Sequence, residues 1–229
     1  MKILLLSVTG IFTTFLFNVG GQSVVKPNFG LKSPETIDIK KIEGTEDGTT
    51  IYLSIKNMID GGYFCADKNI SIIYPDGSKS RLISSDGIPT CPETYKFKYI
   101  GEVLDFMLRF PPLKPGIEWI DLVEECNDNC FYFSGISLDN ELNKKIDAAF
   151  DLAEKGESAA AMNSFIAIED QTDSKDLGTE GLMYINIIML AKETANTEQA
   201  DKWYKRFEAS GAPHLSQYIK YLNDRGIKY

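Results

Sequence analysis

The sequence predicts an antiparallel β-sandwich followed by an all-helical module, and three observations carry that prediction. Between Glu35 and Leu138 apolar side chains recur at every second position, the spacing of strands buried on one face. At Asp139 the apolar period changes abruptly to about 3.6 residues and stays there, the spacing of amphipathic helices. All four cysteines, Cys65, Cys91, Cys126 and Cys130, fall in the β part.

Residues 1–21 begin with the basic pair Met1-Lys2, continue apolar from Ile3 to Val19 and end in the small residues Gly20 and Gly21. This is the layout of a secretory signal peptide, so the mature chain is expected to start near Gln22. The apolar run is short and interrupted, and no cysteine follows it to take a lipid. A secreted or periplasmic protein, with no membrane span in the mature chain, is therefore expected. Residues 22–34 mix Gln, Ser, Lys, Pro and Gly without periodicity and read as a flexible leader.

The β domain is expected over residues 35–138. Ile51, Leu53 and Ile55 alternate with Tyr52, Ser54 and Lys56, while Leu104, Phe106, Leu108 and Phe110 alternate with Val103, Asp105, Met107 and Arg109. Further strands are expected at residues 36–42, 70–74, 79–84, 95–100, 117–123 and 131–137. Pro75-Asp76-Gly77 and Pro115-Gly116 supply turns, because Pro fixes φ at the first corner and Gly accepts positive φ at the next. Seven or eight short strands with no helix among them indicate a sandwich of immunoglobulin-like type. The four cysteines allow three pairings. Cys126-Asn127-Asp128-Asn129-Cys130 places two cysteines across a hairpin turn, which favours Cys126 with Cys130 and leaves Cys65 with Cys91. A four-cysteine zinc site is the alternative, against which stands the lack of paired C-x2-C knuckles.

Residues 139–229 are expected to fold as about five helices. Asp139 can cap a first helix with Leu142, Ile146, Ala149, Phe150 and Ala153 inward, closing at Gly156. A second helix carries Ala160, Ala161, Ser164, Phe165 and Ile168 on one side. A polar connector over residues 171–180 leads to residues 181–191, apolar almost all round and so expected between neighbours. Thr197 is the expected cap of a fourth helix bearing Ala200, Trp203, Tyr204 and Phe207. Pro213 suits the first turn of a fifth, with Leu215, Tyr218, Ile219 and Leu222 inward and Gly226 at its end.

Over these last 90 or so residues the chain resembles the tetratricopeptide family. Gly156 matches the small residue at that repeat's helix turn, Ala161 its second-helix alanine and Phe165 the aromatic one turn on. Ala200 and Tyr204 repeat the step, beside Trp203, and Pro213 stands near the end of the unit. The resemblance implies stacked helical hairpins whose alanines allow close approach and whose concave face binds protein or peptide. The β half resembles the N-terminal sandwich of uncharacterised secreted bacterial proteins, in Leu108-Arg109-Phe110-Pro111-Pro112 and Ile120-Asp121-Leu122-Val123-Glu124. That likeness implies no activity.

Lys and Arg number 24 against 33 Asp and Glu, a formal charge of -9 that repels nucleic acid and anionic lipid. His214 is the only histidine, and neither a nucleophile elbow nor a phosphate or dinucleotide loop occurs. No cofactor is expected. Asp121, Glu124, Glu125 and Asp128 cluster as possible calcium ligands, though without an EF-hand order, and read better as a solvated acidic turn. Trp119, Tyr63, Phe64 and Tyr132 are the aromatics that a sugar-binding face would use. The leading expectation is a non-catalytic envelope protein that binds a protein or peptide through its helical half. The alternatives are an accessory carbohydrate-binding protein and a hydrolase working with carboxylates alone.

Overall fold

The computed structural model describes residues 22–126, 130–172 and 176–228. The signal peptide expected at residues 1–21 and the expected turn residue Asp128 lie outside them. In chain order the strands are β1 Gln22–Val25, β2 Leu31–Ser33, β3 Ile37–Gly44, β4 Thr49–Lys56, β5 Tyr63–Phe64 and β6 Ile70–Ile73. They continue with β7 Lys79–Arg81, β8 Ser84–Asp86, β9 Tyr95–Lys96, β10 Val103–Phe110, β11 Trp119–Glu124 and β12 Tyr132–Ser137. The helices are α1 Asn140–Glu154, α2 Ser158–Thr172, α3 Glu180–Glu193, α4 Thr197–Ala209 and α5 Leu215–Asp224.

Two five-stranded antiparallel sheets, ordered β1-β3-β4-β10-β8 and β2-β12-β11-β6-β7, share one hydrophobic core, and β5 and β9 form a small third sheet. Alternation decides who enters that core. Leu53, Phe106 and Leu108 come from one sheet and Ile72, Leu122 and Phe133 from the other. Each such side chain contributes roughly 1.5 to 3 kcal/mol by leaving water.

Residues 22–34 are not a flexible leader. β1 pairs with β3 and β2 with β12, and Val24 is fully buried in the sandwich core. Two short strands inside a polar, proline-containing stretch are too brief to show a period. The single strand expected over 79–84 is two, because the chain leaves β7 in one sheet and crosses to β8 in the other. The strand expected over 95–100 shrinks to β9, and residues beyond it turn through Gly101.

Successive helices pack on their neighbours, α1 on α2, α2 on α3 and α3 on α4, with α5 returning to α3. Asp139 does cap α1, accepting from the amides of Glu141 and Leu142. Ala161, Phe165, Ala200, Trp203 and Tyr204 are buried, and α3 is enclosed as its composition requires. Four expectations need correction. Ala160 is exposed, because α2 buries Met162 in its stead. Gly156 packs against nothing; open space surrounds its Cβ position, and it ends α1 through its φ of +78°. Asn196, not Thr197, caps α4 by accepting from the Gln199 amide. Pro213 precedes α5, whose cap position is His214 in the left-handed region at φ 58°.

The disulfides are Cys65–Cys91, with a sequence separation of 26, and Cys126–Cys130, with a separation of 4. All four thiols are thereby removed as zinc ligands. If disulfides act by constraining the unfolded chain, replacing Cys65 and Cys91 by Ser costs about 3.5 kcal/mol and replacing Cys126 and Cys130 about 2 kcal/mol. Denaturant melts of the two double variants test that order.

Candidate functional site

β11 reads Trp119-Ile120-Asp121-Leu122-Val123-Glu124, and all but Val123 are buried. Ile120 and Leu122 point into the sandwich core, so Trp119 and Asp121 face outward. The helical module covers that outer face. Leu31 of β2 belongs to the helical module's hydrophobic cluster, and Tyr132 of β12 packs against it. The two halves therefore share a buried seam.

Glycines make the seam close. A Cβ on Gly178 would lie 2.3 Å from the Trp119 ring, and one on Gly135 would lie 1.9 Å from the Gly178 carbonyl oxygen. Tyr218 of α5 sits between Gly30 and Gly181, whose Cβ positions would fall 1.6 and 2.1 Å from it. Asn143 of α1 joins the two modules by accepting from the Asn28 amide at 2.9 Å and donating to the Ser137 carbonyl at 3.2 Å.

Inside the seam the only histidine meets an aspartate. His214 Nε2 lies 3.0 Å from Asp121 Oδ2. A β-bulge aims that carboxylate: pairing runs Ile120 with Ile136 and Leu122 with Phe133, so Asp121 faces two residues, Ser134 and Gly135. The Gly135 amide freed by the bulge donates to Asp121 Oδ1 at 2.7 Å. The imidazole stands edge-on to Trp119, with ring centroids 6.3 Å apart. The hydrogen bond to Asp121 raises the His214 pKa, the charges of Asp121 and Asp176 add to the rise, and burial opposes it. Burial raises Glu180 and Tyr218 as well. Among the described residues Trp119 Nε1, Thr179 Oγ1 and Glu180 Oε2 are buried without a hydrogen-bond partner, so this part of the seam is held by packing together with the His214–Asp121 pair, and the Asn143 bonds tie it at α1.

Beside this seam opens a cleft of about 440 Å³ to which both modules contribute. Phe29, Leu31 and Tyr132 line it from the sandwich; Phe150, Ile185, Met189 and Tyr221 line it from the helices. Charged groups of both signs, Lys32, Glu35, Lys220 and Asp224, stand among them. The Asn186 side chain donates to the Leu182 carbonyl at 2.8 Å, which leaves its own carbonyl as an acceptor.

The structure scatters the other residues singled out from the sequence. Glu124 accepts from the Asp67 and Phe131 amides, and Glu125 pairs with Lys79. With Asp121 engaged by His214, these acids do not converge, and among the described residues no group of three or more His, Cys, Asp or Glu side chains could hold a metal ion. Of the four aromatics considered for sugar, Trp119 is 5% exposed, Phe64 packs with Phe106 and Phe131, and Tyr132 lines the cleft. Tyr63 alone is open, at 70%.

The Asp121–His214 pair escapes sequence reading because 93 residues separate its members. One signal was present: an acid inside a run apolar on both faces requires a buried partner. No family model matches the chain, and neither a curated protein nor a solved structure matches it.

Proposed function

We propose that this chain is an exported, non-catalytic binding protein whose ligand is an extended peptide or a segment of an envelope protein, seated in the cleft between sandwich and helices. The cleft lining carries the proposal. Aromatic and aliphatic walls suit apolar side chains, and charges of both signs with one free amide carbonyl suit a peptide's polar groups. The sandwich is of immunoglobulin type in this reading and the helices are tetratricopeptide-like, supported by neighbour-on-neighbour packing and by Ala161 and Ala200 at zero exposure. Two disulfides support export, since reducing compartments rarely keep them. Binding then belongs to both halves together, because residues 139–229 alone would expose the seam.

Selection of displayed random peptides on the purified protein tests this. Gln217 is exposed at the cleft mouth, and Gln217→Trp fills the mouth without touching the core. Selected peptides should bind Gln217→Trp about tenfold more weakly, about 1.4 kcal/mol, at unchanged melting temperature. Equal binding to both proteins, or displacement of the peptides by soluble polysaccharide, would overturn the assignment.

A further inference from the structure

One end of the first sheet carries an apolar tip. Eight large hydrophobic residues are exposed among the described ones, and six of them, Met58, Ile59, Tyr63, Tyr99, Ile100 and Val103, come from two neighbouring segments. Those segments leave β4 and enter β10, whose pairing sets Lys56 opposite Val103. They are tied to each other by backbone bonds, Asn57 amide to Glu102 carbonyl at 2.8 Å, Gly101 amide to Asn57 carbonyl at 2.7 Å and Phe97 amide to Gly62 carbonyl at 2.9 Å. The Asn57 side chain adds a bond to the Tyr99 carbonyl at 2.9 Å, and Tyr63 pairs across strands with Lys96. The apolar side chains are thus held outward on a fixed frame.

Charge at the tip opposes the charge of the whole chain. Lys56, Lys96 and Lys98 are exposed around the apolar residues, and Asp60 is the one exposed carboxylate between residues 56–64 and 95–103. Glu102 is turned inward, accepting from the Tyr95 hydroxyl at 2.7 Å and the Lys98 amide. Screening limits an exposed charge to a reach of about 8 Å at physiological ionic strength, so a docking surface responds to these lysines rather than to the total of -9.

We propose that this tip docks on a lipid bilayer bearing anionic headgroups. Ile59, Ile100, Met58 and Val103 enter the edge of the hydrocarbon, Tyr63 and Tyr99 lie at headgroup level, and the lysines meet lipid phosphates. That ordering of aliphatic, aromatic and basic groups matches the layers of a membrane interface. Local charge complementarity selects the bilayer over a second copy of the chain, whose own tip would present the same lysines.

Co-sedimentation with vesicles tests the proposal, using the chain from Gln22 onward, which keeps every described residue and omits an apolar leader that would itself enter bilayers. The protein should sediment with mixed phosphatidylcholine and phosphatidylglycerol vesicles and about tenfold less with phosphatidylcholine alone. Ile59→Asp with Ile100→Asp should abolish the association, and Lys96→Glu with Lys98→Glu should bring mixed vesicles down to the neutral level. Ile83→Asp, at an exposed isoleucine outside the tip, should change nothing. The idea fails if no vesicle binds, if the tip variants bind as well as the unaltered chain, or if the tip variants abolish a dimer seen by sedimentation equilibrium in the absence of vesicle binding.

Discussion

Gly178→Ala lowers the melting temperature by about 6 to 12 °C, taking about 3 kcal/mol from a chain of this size. Two costs combine. The added methyl collides with the Trp119 ring, whose Cδ2 is 2.3 Å from the Cβ position, and overpacking of this kind costs about 1 to 3 kcal/mol. The backbone there has φ +69°, a conformation that costs an L residue about 1 to 2 kcal/mol. Gly156→Ala separates the two, because its φ of +78° imposes the strain while open space around its Cβ removes the collision. It should lower melting by only about 2 to 4 °C. Calorimetry on both variants is the measurement. Equal shifts would mean that the seam relaxes around the methyl, and the two halves would not be locked through Trp119.

The same seam marks where sequence reading stops. Phe106 and Leu108 declared a buried strand face because a period of two is a local property, and Asp139 declared a helix start because capping is local too. The hairpin disulfide was legible for the same reason, its ends being only four positions apart. β1 and β2 were not, since a strand of three or four residues is held by distant partners, here β3 and β12. Gly30, Gly135 and Gly178 carry no side chain that a sequence pattern could register, yet each marks a close approach to an aromatic ring or a carbonyl from the other half. The cleft depends on that docking, so no sequence window could display it. Tyr132 and Met189 become its opposite walls only when the sheet's outer face meets the helices.

Asp121→Ala costs about 3 to 5 kcal/mol, the usual cost of removing one member of a buried charged pair. The loss has two sources, the partner of His214 and the acceptor for the Gly135 amide that the bulge leaves outside the ladder. Its pH dependence identifies the first. His214 is raised by Asp121, so its contribution to stability is fully present below the ordinary imidazole value of about 6.5 and is lost as pH rises through the raised value. Burial raises Glu180 and Tyr218 as well, so the comparison with a chain lacking the imidazole is what isolates His214. Melting temperature should therefore fall as pH rises above the ordinary imidazole value of about 6.5 in the unaltered chain and stay nearly level over the same rise in His214→Gln, which keeps a donor but cannot titrate. Asp121→Asn should flatten the same profile while retaining the acceptor for Gly135. A profile in His214→Gln that slopes as steeply as the original would place the titrating group elsewhere, and a change below about 0.5 kcal/mol in Asp121→Ala would show that the pair adds nothing to the seam.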